Sequence, residues 1–222
     1  MIIIFDLDEV LYDEKTFVLS GFNAVSDYLD KQKLISKKAC MSFLRNRFKK
    51  KREMIFNELL IKFGVYNKKI LHKCIMIYRN HKAKISLYPE AKNCLMQFKE
   101  LPIYIVTDGN RVVQKNKIDA LGLDKFVKQI ILTSNYGLNH AKPSTYCFRK
   151  ICEAEKVKPK NVVYVGDDPN KDFVGIKKAG FKTIRVYKGR FRNMRLGEKF
   201  EANYHVKSLK EVNWKLIKDI LN

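Results

Sequence analysis

No apolar run in the 222 residues reaches the length of about 18 that a membrane-spanning helix needs. The apolar stretch from Met1 to Phe5 ends on aspartates instead of a small-residue cleavage site, so no secretory leader is expected and the protein is read as cytoplasmic. CxxC pairs are absent too. The five cysteines (Cys40, Cys74, Cys94, Cys147 and Cys152) are scattered and odd in number, which suits reduced, buried thiols better than a disulfide framework. The four histidines show no HExxH spacing, so no zinc site is expected. Neither an internal repeat nor a low-complexity linker is visible.

Carboxylates are in short supply, 23 against 45 Lys and Arg, for a formal net charge of +22. A field of that size attracts polyanions. Yet aromatic and basic residues are not interleaved in the manner that stacks bases, and the run Lys49 to Arg52 lies on the polar face of an amphipathic helix. Salt screens a diffuse excess within about 8 to 10 Å. Nucleic acid is therefore not the expected partner, and the charge by itself does not choose between an anionic membrane and a small anionic metabolite.

With 46% hydrophobic residues the chain buries a core of ordinary size. Short continuous apolar runs, the pattern of parallel strands covered on both faces, occur at Ile2 to Phe5, Ile103 to Val106, Gln129 to Leu132, Val162 to Val165 and Thr183 to Val186. Helical patterns alternate with them at Glu90 to Leu101, Arg111 to Leu121, Ser144 to Glu155 and Asn170 to Ala179, which argues for a doubly wound parallel α/β sheet. One stretch breaks the alternation. From Asp13 to Leu87 there is only helical pattern, read as Lys15 to Gln32, Lys37 to Phe63 behind an N-cap at Ser36, and Lys68 to His81. The expected organisation is a core of residues 1–12 and 88–222 with an all-helical insertion at 13–87.

Four short elements, each at a strand end, carry the chemistry. Asp6 and Asp8 follow the first strand, and two carboxylates two residues apart on an extended segment point the same way. One would serve as nucleophile and the other as acid and base, which requires the proton donor's pKa to be raised by burial or by its partner's charge. Thr107-Asp108-Gly109-Asn110 ends the second strand before a helix, a hydroxyl and a flexible turn suited to a phosphate oxygen or, equally, a plain helix cap by Thr107 or Asp108. Lys142 precedes Pro143, expected at the first helical position. Gly166-Asp167-Asp168, with Asp172 beyond, follows the fourth strand and suits a hard cation such as Mg²⁺.

In this order and spacing the four elements resemble the haloacid dehalogenase superfamily of phosphatases, whose pattern is a DxDx(T/V) loop, a Ser or Thr, a Lys and a GD…D loop. Asp6, Asp8, Thr107, Lys142, Asp167 and Asp172 match it position by position, with Val10 in place of threonine. The resemblance implies a sheet of order 5-4-1-2-3 with a helical cap after the first strand, hinged near Tyr12 and the segment from Asp13 to Phe17. It implies Asp6 as nucleophile, Asp8 as acid and base, and Thr107, Asp108, Gly109 and Lys142 around the phosphate. Mg²⁺ would be held by Asp6, the backbone carbonyl of Asp8, and Asp167; Asp168 and Asp172 would stand behind, Asp172 orienting Lys142 or a water on the metal. Dehalogenating members lack the second aspartate, so Asp8 favours a phosphate ester. The expected reaction is hydrolysis of a sugar phosphate or nucleoside monophosphate through an aspartyl phosphate, with no membrane partner; phosphoryl transfer to a second hydroxyl, action on a nucleic-acid end, and a role as a basic nucleic-acid binding module are the alternatives.

Overall fold

The computed structural model describes residues 1–221, which divide into two compact units: Met1–Glu14 together with Ser86 onward, and Lys15–Ile85. In the first unit a parallel sheet has its centre in β1 (Ile2–Phe5), every residue of which is fully buried. On one side β1 pairs with β2 (Ile103–Thr107), and β2 with β3 (Gln129–Leu132). On the other it pairs with β4 (Val162–Gly166), followed by β5 (Lys182–Val186) and β6 (Tyr204–Val206). The order is thus β3-β2-β1-β4-β5-β6, the expected doubly wound sheet with one more strand at its edge. Helices α5 (Pro89–Gln97), α6 (Arg111–Leu121), α7 (Tyr146–Ala154), α8 (Val174–Lys178) and α9 (Trp214–Leu221) complete this unit. One face of the sheet packs Ile2, Ile4, Tyr104, Val106 and Tyr164 against Phe148, Ile151 and Phe173.

Three residues with a half-exposed histidine in the middle give β6 no apolar signature, and the sequence pattern does not reveal it. Its position comes from upstream contacts. Asn203 exchanges hydrogen bonds with Thr183 on β5, and the fully buried Arg185 pairs with Glu201 at 2.7 Å while donating to the carbonyls of Phe191 and Met194.

The second unit contains α1 (Glu14–Lys31, which begins at the unit boundary), α2 (Lys37–Lys50), α3 (Ile55–Lys62) and α4 (Lys68–Asn80). Its core packs Phe22, Val25, Leu29, Leu44, Phe56 and Leu59. Ser36 caps α2, its side chain accepting from the Ala39 N–H. The single helix expected over Lys37 to Phe63 is instead two. The chain turns extended at Lys51 and left-handed at Met54 (φ 55°), so the basic run falls at the C-terminal end of α2, where cations complement the helix dipole. Arg47 pairs with Glu58 across the break and donates to the Lys51 carbonyl. The unit's residues 15–85 include 18 Lys and Arg against 4 Asp and Glu, so +14 of the net +22 belongs to it. No helix among the described residues is long and apolar enough to cross a membrane.

Candidate active site

β1 and β4 are neighbours, and both end on aspartates at the same edge of the sheet, the switch point where doubly wound sheets bind ligands. Asp6 is buried. Its Oδ1 accepts from the Leu7 N–H at 2.8 Å and from Lys142 Nζ at 2.9 Å, leaving Oδ2 without a donor among the described residues. Lys142 Nζ also donates to Asp172 Oδ1 and Tyr164 Oη, each at 2.9 Å. An ammonium has three hydrogens, and here all three are engaged. Asp172 is fully buried and saturated: Oδ1 faces Lys142 and Tyr164, while Oδ2 accepts from the N–H groups of Asp167 and Asp168 at 3.1 and 2.9 Å.

Asp6, Asp167 and Asp172 each present a carboxylate oxygen within 4.8 Å of the others. Burial, offset in part by Lys142 and reinforced by Asp172 and Asp8, pushes Asp6 up to about 6. Burial together with Asp172 and Asp6 lifts Asp167 well above the ordinary carboxylate range. Burial also acts on Asp172, but Lys142 and Lys171 outweigh it and hold that carboxyl low. Asp167 Oδ2 is buried with no hydrogen-bond partner among the described residues. An orphaned buried oxygen beside two further carboxylates, in a pocket with too little positive charge, is what a hard oxygen-liganded cation fits.

The aspartate pair does not behave as period-two strand residues. The strand ends at Phe5, and the Leu11 N–H closes a turn onto the Leu7 carbonyl, with Glu9 in the left-handed region at φ 62°. Asp8 consequently lies outside the carboxylate cluster, against α6. Lys117 Nζ reaches both of its oxygens at 2.7 and 3.0 Å, Tyr12 Oη donates to Oδ1 at 2.5 Å, and Gln114 Nε2 to Oδ2 at 3.2 Å. The expectation that the acid–base carboxylate is the one with the raised pKa is reversed. Burial does push Asp8 up, but the Lys117 charge and these hydrogen bonds outweigh it and hold Asp8 low. Lys117 and Gln114 are residues that sequence reading missed, and Tyr12, expected only near a hinge, holds Asp8 with them; the first two sit one turn apart on a helix whose start was legible, but nothing in the pattern told which face meets Asp8.

Thr107 is buried at the end of β2, its hydroxyl accepting from Gln114 Nε2 at 2.6 Å. Neither Thr107 nor Asp108 caps α6; Asn110 does, through Val112 and Val113 N–H. The Asp108 carboxylate fastens three loops instead. Oδ1 accepts from Thr133 Oγ1 and the Lys142 N–H, and Oδ2 from Lys171, another cation that sequence reading passed over. Gly109 sits beside it at φ +132°. Pro143 is not the first residue of α7, which begins at Tyr146 with Ser144 and Thr145 between them; the peptide bond Lys142–Pro143 is cis. Lys142 is aimed instead by Asp108 and by Gly175 on α8, where an added β-carbon would overlap the Pro143 carbonyl. Asp168 is occupied locally, accepting from the backbone and side-chain amides of Asn170.

The description "haloacid dehalogenase-like hydrolase" belongs to the family whose sequence model matches residues 3–186. The chain belongs to that family. It is 31% identical over 218 residues to a glyceraldehyde 3-phosphate phosphatase of Methanocaldococcus jannaschii, covering 95% of this chain and 94% of the relative. A phosphoserine phosphatase of Thermus thermophilus is 28% identical over 140 residues, covering 62% of this chain and 55% of that one. Among solved structures, a magnesium-bound putative hydrolase of the family from Bacillus subtilis superposes with a TM-score of 0.71 over 97% of both chains, at 18% identity.

Proposed function

We propose that this family member hydrolyses a phosphorylated three-carbon metabolite, with Asp6 as nucleophile and an aspartyl phosphate as intermediate, in a magnesium-dependent reaction. The chain is a hydrolase acting on phosphoric monoesters, as its family and relatives establish. The relatives named for glyceraldehyde 3-phosphate and phosphoserine favour a small three-carbon ester; the first is one of the sugar phosphates expected from the sequence, and the second, an amino-acid phosphate, lies outside that expectation. The observation that carries the mechanism is the Asp6 carboxylate, buried and oriented through Oδ1 while Oδ2 has no donor among the described residues.

Asp6 Oδ2 forms a bond to phosphorus as the ester P–O bond breaks, and Asp8, whose own carboxyl is held low, relays to the departing oxygen the proton that a monoanionic ester brings with it. Water then attacks the same phosphorus and yields its proton to Asp8, now in the carboxylate form that Lys117, Tyr12 and Gln114 favour; Asp6 and inorganic phosphate are released. Thr107, the N–H groups of Asp108 and Gly109, and Lys142 hold the phosphoryl oxygens. Lys142 must exchange one of its three acceptors for the phosphoryl group, and neutral Tyr164 is the least costly to release. Asp6, Asp167 and the carbonyl of Asp8 would hold Mg²⁺, with Asp168 and Asp172 supporting them. When bound, the ion supplies positive charge to the transferring phosphoryl oxygens.

A second reading has one observation in its favour. The concentration of +14 in residues 15–85 suits a phosphorylated nucleic-acid end. One assay separates the two: phosphate release from glyceraldehyde 3-phosphate, phosphoserine, nucleoside monophosphates and a 5′-phosphorylated oligonucleotide, with Mg²⁺ or EDTA, for the wild type and Asp6→Asn. Metal-dependent turnover of the three-carbon esters, lost in the variant, is the expected result. Preference for the oligonucleotide, or turnover that survives Asp6→Asn, refutes the reading.

A further inference from the structure

Gln114 is not among the residues that mark the family, yet it touches two that are. It lies in the first turn of α6 and is 2% exposed, and its amide nitrogen is 2.6 Å from Thr107 Oγ1 and 3.2 Å from Asp8 Oδ2. The direction of this bridge is determined. Both oxygens of Asp8 face the Lys117 ammonium, so the carboxylate accepts, and the nitrogen end of the amide must face it. The same nitrogen meets Thr107, so the threonine oxygen is an acceptor here and both amide hydrogens are used. The hydroxyl's own hydrogen has no acceptor among the described residues. Gly109 leaves the side chain its room on the other side: a β-carbon there would sit 3.3 Å from Gln114 Cγ and Cδ.

We propose that Gln114 is a positioning residue that sets Thr107 as a hydrogen-bond donor towards the phosphoryl group and ties that donor to Asp8. This rests on the phosphatase reading above, in which Thr107 and Asp8 act on one substrate. Left alone, a threonine hydroxyl rotates between donating and accepting arrangements. With Gln114 filling its acceptor side, the hydrogen points where phosphate arrives, so the site incurs no reorientation on binding.

Gln114→Glu preserves the shape and reverses the polarity. A carboxylate only accepts, so Thr107 would donate into it and turn away from phosphate. The readouts are Kd for inorganic phosphate by calorimetry and the separation of KM from kcat. Gln114→Glu is expected to raise both Kd and KM about tenfold or more, the effect of losing a hydrogen bond to a charged group. Thr107→Val should weaken phosphate binding in the wild-type background and cause no further loss beside Gln114→Glu, because the hydroxyl is already turned away. Additive losses, or wild-type phosphate affinity in Gln114→Glu, overturn the proposal. Should Gln114→Glu fail to fold, Gln114→Met replaces it in the cycle: a reduced Thr107→Val penalty supports the proposal and an undiminished one overturns it. A wild-type protein that neither binds nor releases phosphate refutes the phosphatase reading instead.

Discussion

Replacing Asp6 by asparagine should make the protein inactive and more stable at once. Asparagine keeps an oxygen where Oδ1 accepts from Leu7 and Lys142, and removes the charge that burial and Asp172 disfavour. In the unfolded chain this carboxyl titrates near 3.9; in the folded protein it is pushed up to about 6. At about 1.4 kcal/mol per tenfold change, ionised Asp6 costs the folded state about 3 kcal/mol, with no discount for solvent because the side chain is buried. Because the folded value is the higher one, the penalty is absent below pH 4, grows as pH rises from 4 to 6 and is complete above that. Wild type and Asp6→Asn should therefore unfold alike near pH 4, while at pH 7.5 in EDTA the variant should melt roughly 6 to 12 °C higher. Mg²⁺ should narrow the gap, since it favours the carboxylate and not the amide. Equal melting, or a less stable variant, at pH 7.5 in EDTA would refute the argument that Asp6 is held ionised at a cost.

Two other outcomes follow from particular contacts. Gly175→Ala pushes a methyl group into the Pro143 carbonyl, so it should cost about 1 to 3 kcal/mol and lower kcat by displacing Lys142; denaturant unfolding alongside turnover checks both, and an unchanged kcat would mean that Gly175 does not position Lys142. His81 is buried in the helical unit against Phe17, with Nδ1 2.7 Å from the Tyr78 carbonyl, and burial holds its pKa below the ordinary 6.5. A group that is harder to protonate when folded stabilises above its unfolded pKa and loses that contribution as pH falls below about 6.5. Hydrogen exchange in α1 and α4 should speed up between pH 7 and 5.5, after correction for intrinsic rates, and His81→Gln should flatten the response.

Much of the α/β core was legible because its signals are local. A strand covered on both faces must be continuously apolar, so the runs Ile2 to Phe5, Ile103 to Val106 and Val162 to Val165 announced strands that the structure extends by one residue in the last two, and the ordered carboxylates at their ends pointed to one edge of one sheet. α6 was equally plain, beginning at Arg111 and stopping before Gly122, which adopts the left-handed conformation at φ 60°. The break between α2 and α3 was not, since Lys49 to Arg52 are acceptable helix residues and only the C-terminal dipole and the Arg47–Glu58 contact favour ending the helix there.

What the sequence by itself determined is the chemistry available: which carboxylates, which hydroxyl, which lysine, and that they lie at strand ends. Only the tertiary structure decided which of the two first-loop aspartates carries which charge. Asp6 and Asp8 are the same residue type two positions apart, and their pKa values separate because Asp6 is buried beside Asp172 with one shared cation while Asp8 has Lys117 on both oxygens. Lys117 is 109 residues away from Asp8, and Gln114 is 106. No local pattern encodes such a pairing; it exists only once β2 has paired with β1 and α6 has packed where that pairing puts it.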